Sequence, residues 1–412
     1  MHRKLVVNIG CLANVRPQTQ LLRGAALSEL PLLNNAYLFL EDGLIAAFGS
    51  MQTISDELWA NEIIDAGGAT VLPAWCDSHT HLVFAASRED EFVLKLKGAT
   101  YAEIAAAGGG ILNSAAKLQS AEEEALYTAA WLRLQELMLL GTGAIEIKSG
   151  YGLSVEAELK MLRVIKRLKA NSPIPVKATF LGAHAFPELF KNNQQAYVDL
   201  IIQEMLPAIA AEELADYIDV FCEQGFFSVQ QTIQICEAGK QYGLLPKLHV
   251  NQLNSIGGVE AGIALGALSL DHLETMTAQD ILLLSNAATI GTLLPTAAYF
   301  LRMPYQPARD LIDAGCAIAL ASDFNPGSSP SGNMNMVVSM SCIQMKMLPE
   351  EAINAATLNG AYAMGLGDSC GSISVGKKAN LIFTKPINSI AYIPYAFGAN
   401  LIDRVMINGN FL

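Results

Sequence analysis

The chain has 412 residues, 52% of them hydrophobic, and a formal net charge of −13. That length accommodates one large domain with a smaller appendage. The acidic balance, with no basic cluster, excludes nucleic acid and anionic membrane surfaces as partners, since both are held by local positive charge. An anionic small molecule would need a particular Arg or Lys to overcome the global field.

The start, Met1-His2-Arg3-Lys4, is basic, but the apolar stretch after it is short and broken by Gly10 and Asn14, so no signal peptide is expected. No apolar run reaches the roughly 20 residues that span a bilayer. A cytoplasmic protein without membrane contact is the expectation. Seven cysteines, at 11, 76, 222, 236, 316, 342 and 370, are scattered without CxxC pairing. They are expected to be buried free thiols.

Residues 36–49 read as two strands around a turn at Asp42-Gly43. Eight apolar stretches come next: 71–78, 143–148, 175–183, 217–223, 245–250, 268–273, 288–295 and 316–322. Amphipathic segments fill the gaps. One, over 154–170, places Leu159, Leu162, Ile165 and Leu168 at helical spacing. Another starts at Ser228, a good N-cap, and stops near Gly243, a good C-cap. The short run AAGGG at 106–110 is expected to be a lid hinge. Strands are expected again at 380–384 and 401–407, followed by a turn at Asn408-Gly409.

Eight strand-then-helix units predict a closed (β/α)₈ barrel over 71–372, because parallel strands need both faces covered. A doubly wound open sheet is the alternative. Neither end of the chain is long enough for a stable sheet of its own. Residues 1–70 and 373–412 are therefore expected to combine into one small β-sandwich domain.

The six histidines carry the functional signal. Apart from His2, each lies at or just past the C-terminal end of a predicted strand, the face where barrel enzymes build their sites. A single histidine there is more often a hydrogen-bonded core residue, but five converge. His79 and His81 are two residues apart on a strand and face the same side. His249 ends the fifth strand and Asp323 follows the eighth. Three neutral imidazoles and one carboxylate suit one zinc or iron ion and leave room for water. The competing role for Asp323 is a helix cap or turn before Pro326. His272 ends the sixth strand, as a hydrogen-bonding group in the site or a packed neighbour of it.

This pattern resembles the amidohydrolase superfamily: HxH after strand one, His after strands five and six, Asp after strand eight. Binuclear members add a lysine after strand four. Here that strand ends in FCEQG, which implies a single metal ion. Lys177 lies at the opposite end of the barrel.

The resemblance extends over essentially the whole chain. It is closest, within the superfamily, to hydrolases that open the cyclic amide of 4-imidazolone-5-propanoate to N-formimidoyl-L-glutamate in histidine degradation. The segments AWCDSHTHLVFAASREDEF, EIKSGYGLS, TFLGAHAFP, DVFCEQGFFS, LHVNQLNSIGG, DHLE and ASDFNPGSSP carry it.

That resemblance implies roles. Arg88 would bind the propionate, against the plainer expectation of a surface ion pair with Glu89 or Asp90. Tyr151 would contact substrate, where a loop tyrosine would otherwise be expected in solvent. His184 would hydrogen-bond the ring. Asn325, Gly327 and Ser328 would line the pocket. Gln252, where some relatives carry Glu, can only orient substrate or water, because an amide is no base. Asp323 and His272 would handle protons and developing charge around a water activated by the ion. A homodimer is also implied. The rival functions are a deaminase acting on a nucleobase-like ring, which offers Arg88 no carboxylate, and a non-catalytic binding barrel.

Overall fold

The computed structural model describes residues 2–55, 58–98 and 109–412. Of the expected hinge at 106–110, residues 106–108 therefore lie outside the described residues.

Strand β1 (Arg3–Ala13) pairs antiparallel with β2 (Leu32–Glu41), and β2 with β3 (Leu44–Ser50). Asp42 and Gly43 both have positive φ, 49° and 81°. This is what a tight hairpin turn requires, and it matches the Asp-Gly signal. Strands β4 (Glu62–Asp65) and β5 (Thr70–Pro73) lie parallel to β1.

The barrel strands are β6 (Trp75–Thr80), β7 (Thr142–Lys148), β8 (Val176–Ala183), β9 (Tyr217–Cys222), β10 (Leu245–Val250), β11 (Ser269–His272), β12 (Ile290–Leu293) and β13 (Ile318–Leu320). They pair in sequence order and in parallel throughout. The ring closes between the first strand and the segment after the last. His81 N donates to Phe324 O at 2.9 Å, and Asp323 N donates to His79 O at 3.0 Å.

Helix Val155–Asn171 begins where Ser154 accepts from the Ala157 amide, and it buries Leu159, Leu162, Ile165 and Leu168. Helix Val229–Lys240 carries a full capping box from Ser228 and Gln231. Gly243 follows it with φ 79°. Burying one such leucine contributes about 1.5–3 kcal/mol.

The apolar stretch 71–78 is not one strand. It divides at Ala74, whose amide bonds Asn380 O, while the Trp75 amide bonds Gly141 O. The chain steps there from one sheet to the other, and continuous apolarity hides the step because both sides are buried.

Three strands from the far end, β14 (Leu381–Thr384), β15 (Ile402–Ile407) and β16 (Asn410–Phe411), join the first sheet, with β14 against β5. Both termini thus build one separate eight-stranded sheet. Its core includes Val6, Ile9, Leu38, Val71, Phe383 and Met406. All seven cysteines are free.

Candidate metal centre

The C-terminal ends of the barrel strands bring the histidines together. Ring centroids of His79 and His249 lie 4.5 Å apart, His79 and His81 5.4 Å, and His81 and His249 5.5 Å. One nitrogen from each of these three falls within 4.8 Å of the others. A second group of the same compactness is formed by His79, His272 and Asp323. Asp323 Oδ1 stands 3.5 Å from His79 Nε2 and 3.7 Å from His81 Nε2.

Three features of this cluster fit a cation. His79 Nε2, His249 Nε2 and His81 Nδ1 are buried and have no hydrogen-bond partner, and native interiors rarely leave such atoms orphaned. Burial, with Lys148 and the neighbouring imidazoles, holds His79, His81 and His249 well below the ordinary imidazole range. That direction favours the neutral form that ligands must have. Finally, His79 Nδ1 faces Asp271 Oδ2 at 2.7 Å, and His249 Nδ1 faces Asp219 Oδ2 at 2.9 Å. A carboxylate on Nδ1 keeps the proton there and turns the Nε2 lone pair inward.

The backbone is bent to achieve this. Asn251, His272, Leu273 and Asp323 all have positive φ, between 51° and 87°. Such conformations cost on the order of 1–3 kcal/mol each and persist where the surroundings impose them. Burial pushes the Asp323 carboxyl up to about 6, against the pull of His272, Ser328 and Asn325. His272 Nδ1 is 3.3 Å from Glu274 Oε1, which also accepts from Gln306 at 2.9 Å.

Above the cluster a chamber of about 50 Å³ is lined by His81, His249, His272 and Asp323. A wider mouth of about 250 Å³ leads out of it, lined by Arg88, Tyr151, His184, Gln252, Asn325, Gly327 and Ser328. Every residue singled out in the sequence thus reaches one pocket or its floor.

Arg88 Nε donates to Ser114 Oγ at 2.8 Å. Among the described residues it makes no ion pair with Glu89 or Asp90. Its guanidinium lies 5.8 Å from the Tyr151 ring centre. Tyr151 is 3% exposed rather than in solvent. The loop that bears it is pinned by Glu158, which accepts from the amides of Gly150 (3.1 Å), Gly152 (2.7 Å) and Leu153 (2.9 Å). His184 Nδ1 bonds Gly150 O at 3.0 Å, and burial lowers this imidazole to about 4. The Asn325 side chain is spent within its own loop, donating to Asp323 O and Ser328 Oγ and accepting from the amides of Gly327 and Ser328.

Sequence reasoning missed the charged layer beneath the histidines. Glu146, Lys148, Asp219, Lys247 and Asp271 are all at most 1% exposed. Burial would lower Lys148, but Asp219, Glu146 and Asp271 hold it above its usual range. A signal was present: Glu146 and Lys148, like Lys247 and His249, alternate along one strand and so share its inward face.

The comparisons with known proteins agree with this geometry. The model of the amidohydrolase family matches residues 70–412. Imidazolonepropionase of Flavobacterium johnsoniae is 59% identical over 410 residues, 99% of each chain. That of Christiangramia forsetii is 55% identical, again over 99% of each. That of a Geobacillus species is 43% identical over 93% of this chain and 91% of its own. Among solved structures, Escherichia coli guanine deaminase superimposes with a TM-score of 0.74 at 14% identity, over 100% of this chain and 99% of its own. A zinc-bound adenosine deaminase from Xanthomonas campestris gives 0.70 at 17%, over 99% and 92%. These structures share the fold alone. The histidine cluster on a parallel barrel, the family match and three nearly full-length relatives converge: the chain belongs to the amidohydrolase family and, within it, to the imidazolonepropionases.

Proposed function

We propose that the chain hydrolyses 4-imidazolone-5-propanoate to N-formimidoyl-L-glutamate, a step of histidine degradation. The observation that carries this reading is the pairing of Arg88 at the pocket mouth with the imidazole cluster at its floor. One end holds an anion and the other performs hydrolysis. A deaminase acting on a neutral nucleobase would give that guanidinium nothing to hold.

The site takes a divalent metal, as the family and the imidazole cluster indicate. We assign its ligands as His79, His81, His249 and Asp323, one ion per chain, zinc or iron. Such an ion acidifies water and polarises a carbonyl. The remaining steps belong to side chains. Arg88 pairs with the propionate through a charge-assisted contact. Tyr151 and His184, with ring centres 5.6 Å apart, flank the imidazolone. The Asp323 carboxylate takes the proton of the attacking water and returns it to the ring nitrogen as the C–N bond breaks. His272 donates to the developing oxyanion. Gln252, Asn325, Gly327 and Ser328 orient the substrate. The former ring carbonyl becomes a second carboxylate of the opened product, and the released ring nitrogen keeps the proton.

Purified metal-replete protein, mixed with 4-imidazolone-5-propanoate beside a chelator-stripped sample, tests this directly. Metal-dependent loss of the ring's ultraviolet absorbance with formimidoylglutamate as product is expected. No loss in a sample shown to hold metal would defeat the substrate assignment.

Because Glu158 holds the Tyr151 loop, Glu158→Gln is expected to raise KM about tenfold or more. This is the worth of a hydrogen bond to a charged group, about 1.5–3 kcal/mol. Metal content should not change. An unaltered KM would mean that Tyr151 is held by other contacts.

No helix among the described residues is long and apolar enough to cross a membrane. We place the enzyme in the cytoplasm as a homodimer, which light scattering in solution would test. We treat 1–70 with 373–412 as one unit and 71–372 as the barrel, except that residues 71–73, which pair with β1 and β14, go with the first.

A further inference from the structure

Lys148 closes β7 with no exposed surface. Its Nζ lies 2.8 Å from Asp219 Oδ2 and 3.4 Å from Asp271 Oδ2. Those two oxygens are the ones that face His249 Nδ1 and His79 Nδ1. A single ammonium therefore sits at the centre of a chain running His79, Asp271, Lys148, Asp219, His249. It is anchored from its own strand by Glu146 Oε1 at 2.6 Å. The outer ends are fixed as well. Ser269 Oγ donates to Asp271 Oδ1 at 2.6 Å, and the His249 amide donates to Asp219 Oδ1 at 3.1 Å.

We infer that Lys148 is a positioning residue for the metal centre: it ties together the two carboxylates that orient His79 and His249, so that both imidazoles are set by one buried cation. The inference rests on the assignment of those histidines as ligands. Its physical basis is the cost of buried charge. Removing one partner of a buried ion pair leaves the other uncompensated. Here Asp219 and Asp271 would lose the one cation that contacts both, and the buried Lys247, which acts on Asp271 without bonding it, could not replace that bridge. Each aspartate would turn away and swing its imidazole. Among the described residues, His81 and Asp323 make no hydrogen bond or ion pair with either aspartate, so they would keep their places.

The fold supplies its own control. Lys247 is as deeply buried as Lys148, and it bonds Glu146, Ala363 O at 2.9 Å and Ser78 O at 3.3 Å. Among the described residues it makes no hydrogen bond or ion pair with Asp219 or Asp271. A purely structural role for buried lysines predicts the same outcome for Lys148→Met and Lys247→Met. A positioning role predicts different ones.

The test uses the full chain reconstituted with Co²⁺. It reads metal affinity by competition with a chelator, ligand geometry from the visible cobalt bands, and melting temperature. Lys148→Met is expected to lower cobalt affinity roughly 10–100-fold, the usual cost of losing an outer partner of a ligand, and to shift the bands. Lys247→Met should melt at a lower temperature yet keep wild-type affinity and bands. If Lys148→Met does not fold, Lys148→Gln is read in the same way. Equal losses in the two lysine variants, or wild-type affinity and bands at position 148, would overturn the inference. A wild-type chain that takes up no cobalt would instead overturn the metal-centre reading, and this inference with it.

Discussion

Asp323→Asn is expected to lower kcat by about 10²–10⁴-fold, the range that a positioned acid–base group contributes. The replacement is nearly isosteric. The loop bonds that Asn325 makes to the backbone of residue 323 and to Ser328 would survive, so the pocket keeps its shape. What is lost is the ability to take a proton, which an amide lacks. Asp323 is also an assigned ligand, so kcat and metal content must be measured on one preparation. A metal-replete Asp323→Asn protein with full activity would defeat the proton path proposed for the reaction. Gln252→Glu serves as the companion. Because Gln252 carries no proton in this scheme, that variant should retain measurable turnover.

Arg88→Ala is expected to act on KM instead, raising it roughly 10- to 150-fold. This corresponds to the 1.5–3 kcal/mol typical of a hydrogen bond to a charged group. Gly327→Ala should reproduce much of that effect without touching the arginine. A β-carbon at 327 would stand 2.7 Å from Arg88 Nη1 and 3.2 Å from its Cζ. Residue 327 does not have positive φ, so alanine fits its backbone and the cost falls on the guanidinium. A substrate analogue without the propionate separates this from general damage: both variants should handle it as the parent does. An unchanged KM for the full substrate in Arg88→Ala would remove Arg88 from carboxylate binding.

Much of this architecture was legible in the sequence because it depends on periodicity. The Asp42-Gly43 turn, the Ser154 and Ser228 caps and the strand-end positions of His79, His81, His249 and His272 all come from local rules. Local rules fail where burial is continuous. The division at Ala74 leaves no mark in the apolar run 71–78, since only the partners of two neighbouring amides distinguish its halves. Strand β1, which pairs with β2, β4 and β5, escaped because Asn8, at positive φ beside a shift of register, and Gly10 interrupt its regularity. The buried layer of Lys148, Asp219 and Asp271 was illegible for another reason. Lys148 finds Glu146 on its own strand, but Asp219 and Asp271 lie on two others, and no local window contains the whole set. Tyr151 shows the same limit from the other side: its loop is buried because Glu158 gathers three amides.

The meeting of β5 with β14 has a consequence for biosynthesis. Leu72 lies opposite Ile382, and Ala74 leads at once into the strand that carries His79 and runs on into His81. The first barrel strand is thus tethered to a sheet whose members β14 to β16 leave the ribosome long after it does. Until they arrive, β5 offers an unpaired edge, which is a template for wrong association. Joining such distant segments is entropically costly and slow. A nascent chain stalled short of β14 would expose that edge for as long as it remained stalled, so shielding of the early strands by chaperones matters most between the synthesis of β5 and that of β14.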